Sequence, residues 1–189
     1  MGTSDNFYLK RRSVLAKKMQ NHIINDDDLD IIIKAGIRVP DHGALSPWKI
    51  KVIKGEKLKF IDEEIILTEF MKENPEASLE SKEIESKRLQ RASVVLAVLS
   101  TPLEHPRIPK WEMVLSSGAV CMNLLSCAQS LGYAAQWLTE WYSYNKKMLE
   151  YLGGRQDIDR ISGFIYIGHK EEEPSERRRP DPQKVISYL

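Results

Sequence analysis

The sequence predicts an α+β layered fold rather than a doubly wound parallel sheet. Two short runs, Ala92 to Leu99 (ASVVLAVL) and Gly163 to Gly168 (GFIYIG), are continuously apolar and rich in β-branched or aromatic residues. Runs of that length read as buried strands, the first covered on both faces. Glu112 to Leu131 is the most apolar helical stretch. Helical and strand patterns do not alternate as regular βαβ units, and none repeats with a solenoid period. A chain of 189 residues supports one sizeable core, so residues 1–189 are expected to form one domain.

Taken in order, Ser4 to Met19 reads as a helix entering Arg11-Arg12-Ser13. A second helix begins behind the capping run Asn25–Asp28 and places Leu29, Ile32, Ile33 and Gly36 on one face. Pro40 closes it. The segment Arg38-Val39-Pro40-Asp41-His42-Gly43-Ala44-Leu45-Ser46-Pro47-Trp48 then forms a loop whose prolines, Asp-His pair and Trp suit an ordered ligand-holding segment. Trp48, Ile50 and Val52 alternate with Lys49 and Lys51, the pattern of a strand with one buried face.

Residues 56–91 are heavily charged and helical in pattern, broken at Asn74-Pro75, and read as a solvated surface helix pair or a flap. After the strand at Ala92–Leu99, a proline-rich linker leads to Trp111 and the apolar helix, which Gly132 stops. Gly118, Ala119, Ser126 and Ala128 would let another helix approach this one closely. Tyr133 to Trp137 is a strand, and residues 170–189 form an extended tail.

The net charge of +1 gives no reason to expect a nucleic-acid or membrane partner. No apolar run reaching about 20 residues is evident, and Met1–Lys10 lacks an apolar leader core, so a cytoplasmic protein is expected. Cys121 and Cys127 stand six apart in one helix, too badly oriented for a disulfide, and read as small core residues. His22, His42, His105 and His169 have no metal-ligand spacing, so no metal site is expected. Walker, Gly-x-Gly-x-x-Gly and Gly-x-Ser-x-Gly motifs are absent from the sequence. Three basic spots remain: Arg11-Arg12, Arg38 and Arg177–Arg179. Read alone they are surface charges; brought together they could hold an anionic cofactor.

Several segments, in order, resemble the FMN-dependent nitroreductase family, in particular its small NAD(P)H nitroreductase branch. They are Arg11-Arg12-Ser13; Lys34 to His42 with Ser46-Pro47-Trp48; Pro109-Lys110-Trp111-Glu112 with Ser117-Gly118-Ala119; Ala128 to Gly132; Gly163 to Gly168; and Pro180-Asp181-Pro182. The resemblance implies a three-layer fold with a mostly antiparallel sheet flanked by helices, assembled as a homodimer with FMN at the interface. It implies that Arg11, Arg12 and Ser13 meet the FMN phosphate and ribityl chain, with Arg178 near the phosphate. Arg38 and His42 would touch the flavin near its pyrimidine edge or across the interface, and Trp137, Leu138 and Thr139 would line it. The family often carries an Arg and a Ser where Leu138 and Thr139 stand, so Leu138 can offer only backbone groups and packing. The stretch Cys127, Ala128, Gln129, Ser130, Leu131 and Gly132 corresponds to a nicotinamide-nucleotide region.

No residue is then expected to be catalytic in its own right, because flavin N5 carries the chemistry. The implied reaction is hydride transfer from NAD(P)H to flavin and then to a nitroaromatic- or quinone-type acceptor, a ping-pong sequence. A related flavin enzyme performing dehalogenation or flavin fragmentation, and a non-catalytic flavin-binding protein, are the alternatives.

Overall fold

The computed structural model describes residues 3–189, with side chains from residue 7 onward. Met1 and Gly2, part of the stretch read as lacking a leader, lie outside the described residues. Helix α1 (Thr3–Lys10) ends nine residues short of the expected Met19 boundary. Beyond it, the Val14 amide donates to the Ala135 carbonyl at 3.3 Å and the Ala16 amide to Gln136 Oε1 at 2.5 Å. A neighbouring segment thus satisfies backbone groups that a longer helix would have paired internally. A 3-10 turn and the two-residue strand β1 (Met19–Gln20) complete the passage.

Helix α2 (Asp26–Gly36) begins where its caps predict. Asn25 Oδ1 accepts from the Asp27 amide at 2.8 Å, and Asp26, Asp27 and Asp28 face the positive end of the helix. Strand β2 (Trp48–Lys54) follows the loop. Next come α3 (Glu56–Ile61), a π-helical turn at Asp62–Leu67, α4 (Thr68–Glu73) and α5 (Leu79–Glu85), with the Asn74-Pro75 break between the last two. Strand β3 (Val94–Ser100), helix α6 (Lys110–Ser130) and strand β4 (Ala134–Leu138) form the centre. Helix α7 (Lys146–Tyr151) and strand β5 (Arg160–Lys170) precede the tail. The tail is not wholly extended: Asp181 caps a one-turn helix α8 (Pro182–Val185) with proline at its start.

Every strand pair is antiparallel. β3 and β4 both pair with the middle of β5, so they flank it, giving the order β2-β3-β5-β4 with β1 on the end of β5. The alternation within β3 explains its unbroken apolar run. Val94, Leu96 and Val98 join Ile165 and Ile167 in a core beneath α2 and α6. Val95, Ala97 and Leu99 join Phe164 and Tyr166 in a second core on the opposite face. The run therefore records burial on two faces, not parallel pairing.

Edge strand β2 departs from its simple reading. Trp48 and Ile50 pack on the α6 side, but Val52 is exposed and Ile53 is buried in the opposite core. Lys49, Lys51 and Lys54 are exposed along this edge, where charge discourages strand addition.

The charged 56–91 segment is more than a solvated surface pair. Leu58, Ile61, Ile66 and Leu89 are buried in the second core, making this segment a structural layer with a charged outer side. The buried Asp62 carboxylate accepts from the Leu89 amide (2.7 Å) and from the Gln90 amide (3.1 Å) and side chain (3.0 Å), tying the start of the layer to its end.

Helix α6 has the length and composition to cross a membrane, which the sequence reading overlooked, but half of its apolar window is buried in the fold. Gly132 ends it with φ +91°. The Gly132 amide bonds to Gln129 and the Tyr133 amide to Ala128, both at 3.1 Å, a Schellman closure. Cys121 and Cys127 are free, and burial pushes both thiols up, Cys121 to about 12, so neither is a thiolate nucleophile.

Helix α2 crosses α6 at Gly36, where an added Cβ would overlap the fully buried Leu124 side chain. Gly36→Val is expected to lower unfolding stability by about 2–4 kcal/mol in a urea titration, since the added side chain would overlap the buried Leu124.

Asp159 gives the fold an acid dependence. Burial pushes its carboxyl up, but the Arg155 side chain (2.7 Å) and amide (2.8 Å) together hold it below the ordinary value. A depressed folded pKa stabilises above the unfolded value of about 3.9, and that contribution is lost as pH falls through the folded value. Asp159→Asn should cost about 1–3 kcal/mol at neutral pH. The gap from wild type should close in melts below about pH 4.

Candidate functional site

The segment at Arg11-Arg12 and the tail at residues 176–179 meet in an electropositive cluster. Past α1, Arg11 and Arg12 lie between the end of α6 and the tail. Arg11 Nη1 donates to Gln129 Oε1 at 3.4 Å, Gln129 Nε2 donates to the Arg12 carbonyl at 2.8 Å, and Arg12 Nη1 approaches Glu176 at 3.4 Å. Arg179 Nη2 reaches the Arg11 carbonyl at 3.5 Å and also pairs with Glu176. Residues 168 positions apart are thus neighbours. Burial, then the charges of Arg179, Arg177 and Arg12, lower the Arg11 pKa. Its guanidinium stays charged, and the lowering reflects burial first and crowded positive charge second.

The cluster borders a cavity of about 620 Å³ whose walls include Phe7, Lys10, Arg11, Arg12, Gln129, Tyr133 and Lys170, with Glu173 and Glu176 at its tail side. Ser13 follows, half-buried. Arg178 is exposed and makes no hydrogen bond or ion pair among the described residues. The tail arginines acting on Arg11 are its neighbours Arg177 and Arg179.

Arg38 and His42 sit elsewhere, on the loop between α2 and β2. Asn123 Nδ2 donates to the Arg38 carbonyl (2.8 Å) and Ser116 Oγ to the Pro40 carbonyl (2.7 Å), while His42 Nδ1 and Glu112 Oε2 share a hydrogen bond at 2.6 Å. Asp41 Oδ2 accepts from the Ser46 amide at 2.7 Å, and Gly43, Ala44 and Ser46 all take positive φ. This loop is fixed and locally strained, as segments at ligand sites often are. It borders a second cavity of about 310 Å³ formed with Leu115 and Ala119.

The His42 end of this loop is far from the arginine cluster in one chain, whereas the Arg38 end, held by Asn123, starts nearer to it. Arg11 touches Gln129 near the end of α6, and His42 touches Glu112 near its start. Seventeen residues of helix separate those contacts by about 25 Å.

The profile of the Nitroreductase family matches residues 8–169. The chain belongs to the nitroreductase family. It is 27% identical over 187 residues, 96% of each chain, to Escherichia coli K12 YdjA, named as a candidate NAD(P)H nitroreductase. A nitroreductase-like protein of Bacillus cereus superposes with TM-score 0.84 at 22% identity, covering 100% of this chain and 97% of that one. An FMN-bound nitroreductase of Bacteroides fragilis gives TM-score 0.72 at 18% identity over 100% of both chains.

In this nitroreductase, β4 links the two regions. Trp137 is partly exposed, and its indole Nε1 donates at 3.0 Å to the carbonyl of Ser162, where the β3–β5 register shifts. Gly163 leaves space for the ring, since an added Cβ would overlap the indole. Leu138 packs into the second core, Thr139 is exposed, and Glu140 is held by Arg88 (2.8 Å) and Arg91 (2.7 Å). These anchors fix both ends of the Trp137–Thr139 segment.

Within Cys127–Gly132, Gln129 faces the arginine cluster. Ala128 is core, Gly132 serves the helix end, and Ser130 Oγ bonds back to the Cys127 carbonyl at 2.8 Å. Sequence reasoning named Arg179 only as part of the basic triplet 177–179, and it missed Asn123 and Ser116. The last two give no periodic signal, because their partners are loop carbonyls.

Proposed function

We propose that the chain is a cytoplasmic FMN-dependent NAD(P)H oxidoreductase acting as a homodimer, residues 1–189 forming one nitroreductase-like unit. The carrying observation is the meeting of Arg11, Arg12, Arg177 and Arg179 beside a cavity, with Arg11 depressed by burial and by like charge. Clustered guanidiniums left short of counter-charge match a phosphate.

Arg11, Arg12 and Arg179 would hold that phosphate with Ser13, and Arg178 would add charge from the tail. Gln129 braces both Arg11 and the Arg12 backbone. Trp137, Leu138 and Thr139 would line the ring. About 25 Å along α6 separates His42 from the phosphate cluster, so His42 would act on the flavin held by a second copy. Arg38, whose carbonyl is held by Asn123, starts only about 9 Å along α6 from Gln129 and leads the loop away from the cluster. Trp111, Val114 and Leu115 leave an exposed apolar stripe on α6, and Gly118 beside them faces open space, which suits such an assembly.

Bound FMN supplies hydride chemistry, accepting from NADH or NADPH and donating to a nitroaromatic- or quinone-type acceptor in turn. The protein's residues bind, orient and shield; Cys127 to Gly132 would lie near the nicotinamide nucleotide.

The test is the visible spectrum of purified protein, identification of released flavin, and anaerobic mixing with NADPH or NADH. Bound FMN that bleaches within the mixing experiment, and recovers on adding a nitroaromatic or quinone, is expected. Bound flavin that never bleaches defeats the reductase reading, and colourless protein that takes up no FMN defeats the cofactor reading.

A further inference from the structure

We infer that Glu112 is a positioning residue that fixes His42 as a hydrogen-bond acceptor for the flavin N3–H. This rests on the FMN reading above. Glu112, Ser116 and Asn123 are four and seven residues apart on α6, so they share one face. They grip alternate residues of the facing loop: His42 at 2.6 Å, Pro40 at 2.7 Å and Arg38 at 2.8 Å. The loop runs antiparallel to the helix, its register set by this three-point ladder.

The ladder also sets the chemistry that His42 presents. An ionised carboxylate only accepts, so the proton between Glu112 and His42 sits on Nδ1. In the neutral ring, Nε2 is then a lone-pair acceptor. Oxidised isoalloxazine carries a single ring N–H, at N3, between two carbonyl oxygens that only accept. An acceptor nitrogen complements N3–H and is repelled by the carbonyls. Arg38 has only donors and complements those oxygens.

The His42–Glu112 pair lies at the surface of one chain, its side chains 60% and 43% exposed. Exposed pairs contribute about 0–1 kcal/mol to folding, so removing Glu112 should leave the fold intact.

The probes are FMN and its N3-methyl derivative, titrated against protein stripped of flavin and followed by flavin fluorescence. Losing one N–H contact to a desolvated acceptor should make wild type prefer FMN by about tenfold or more. His42→Ala should reduce that preference to about twofold or less, and Glu112→Ala should reduce it by at least about threefold. Nitrogen-15 NMR of the stripped protein should show the Nδ1–H tautomer in wild type and a shift toward Nε2–H in Glu112→Ala. Full preference retained in His42→Ala, or an unchanged tautomer in Glu112→Ala, overturns the inference. Wild type that binds FMN and N3-methyl-FMN equally also overturns it while leaving the FMN reading standing. Wild type that binds neither defeats both.

Discussion

Arg11→Ala should raise the FMN dissociation constant about 10- to 100-fold, and Arg11→Ala with Arg12→Ala should yield protein that purifies without flavin. A hydrogen bond to a charged group contributes about 1.5–3 kcal/mol, and each 1.4 kcal/mol is about a factor of ten. Arg11 lies at the crowded centre of the cluster, where burial and neighbouring charge have already weakened its hold on a proton. A phosphate relieves that crowding, so removing Arg11 forfeits more than a solvated pair would. Lys87→Ala deletes a charge from an exposed pair on the 56–91 layer and should leave affinity unchanged. Equilibrium titration checks both, with added salt weakening wild-type binding through screening. Unchanged affinity in both Arg11→Ala and Arg12→Ala removes the phosphate assignment.

The elements legible in the sequence are those whose signal is local and repeated. The capped start of α2, the two-faced run of β3 and the Gly132 stop each follow from a few adjacent residues, and each stands where predicted. The misread elements depend on distant partners. Arg11–Val14 leave helical geometry because Ala135 and Gln129 offer bonds from more than 100 residues away. Val52 and Ile53 exchange roles because edge strand β2 meets one core at its start and the other at its end. The charged 56–91 segment hides its four buried aliphatic residues among lysines and glutamates.

The candidate site divides the same way. The resemblance, rather than residue type, marked Arg11, Arg12, Arg38 and His42, because a solvated arginine or histidine in a loop gives no signal of its own. Which tail arginine turns inward was invisible, since Arg177, Arg178 and Arg179 are equivalent as text. Only the tail's path beside Glu176 brings Arg179 onto the Arg11 carbonyl. Loop order was likewise unreadable: its fasteners, Ser116 and Asn123, are ordinary helix residues until their carbonyl partners are known.

The separation along α6 makes the strongest demand on the assembly. If one flavin needs the Arg11 cluster of one copy and the His42 loop of another, the two lesions should complement each other. The Arg11→Ala/Arg12→Ala chain and the Arg38→Ala/His42→Ala chain should each bind FMN poorly as homodimers. Mixed by unfolding and refolding together, random pairing gives about half heterodimers, each with one doubly damaged and one intact site. About a quarter of all sites should therefore regain wild-type affinity, read as the tight fraction in a flavin titration. A site built within one chain gives no such fraction, because every chain then carries its own lesion. No recovery, with heterodimers verified by mass, would mean that each flavin site is built within one chain, and normal FMN binding by the Arg38→Ala/His42→Ala homodimer would place that loop outside the site. Recovery near a quarter would make dimerisation a condition of cofactor binding. Leu115→Arg on the exposed apolar stripe should then release flavin together with the partner subunit.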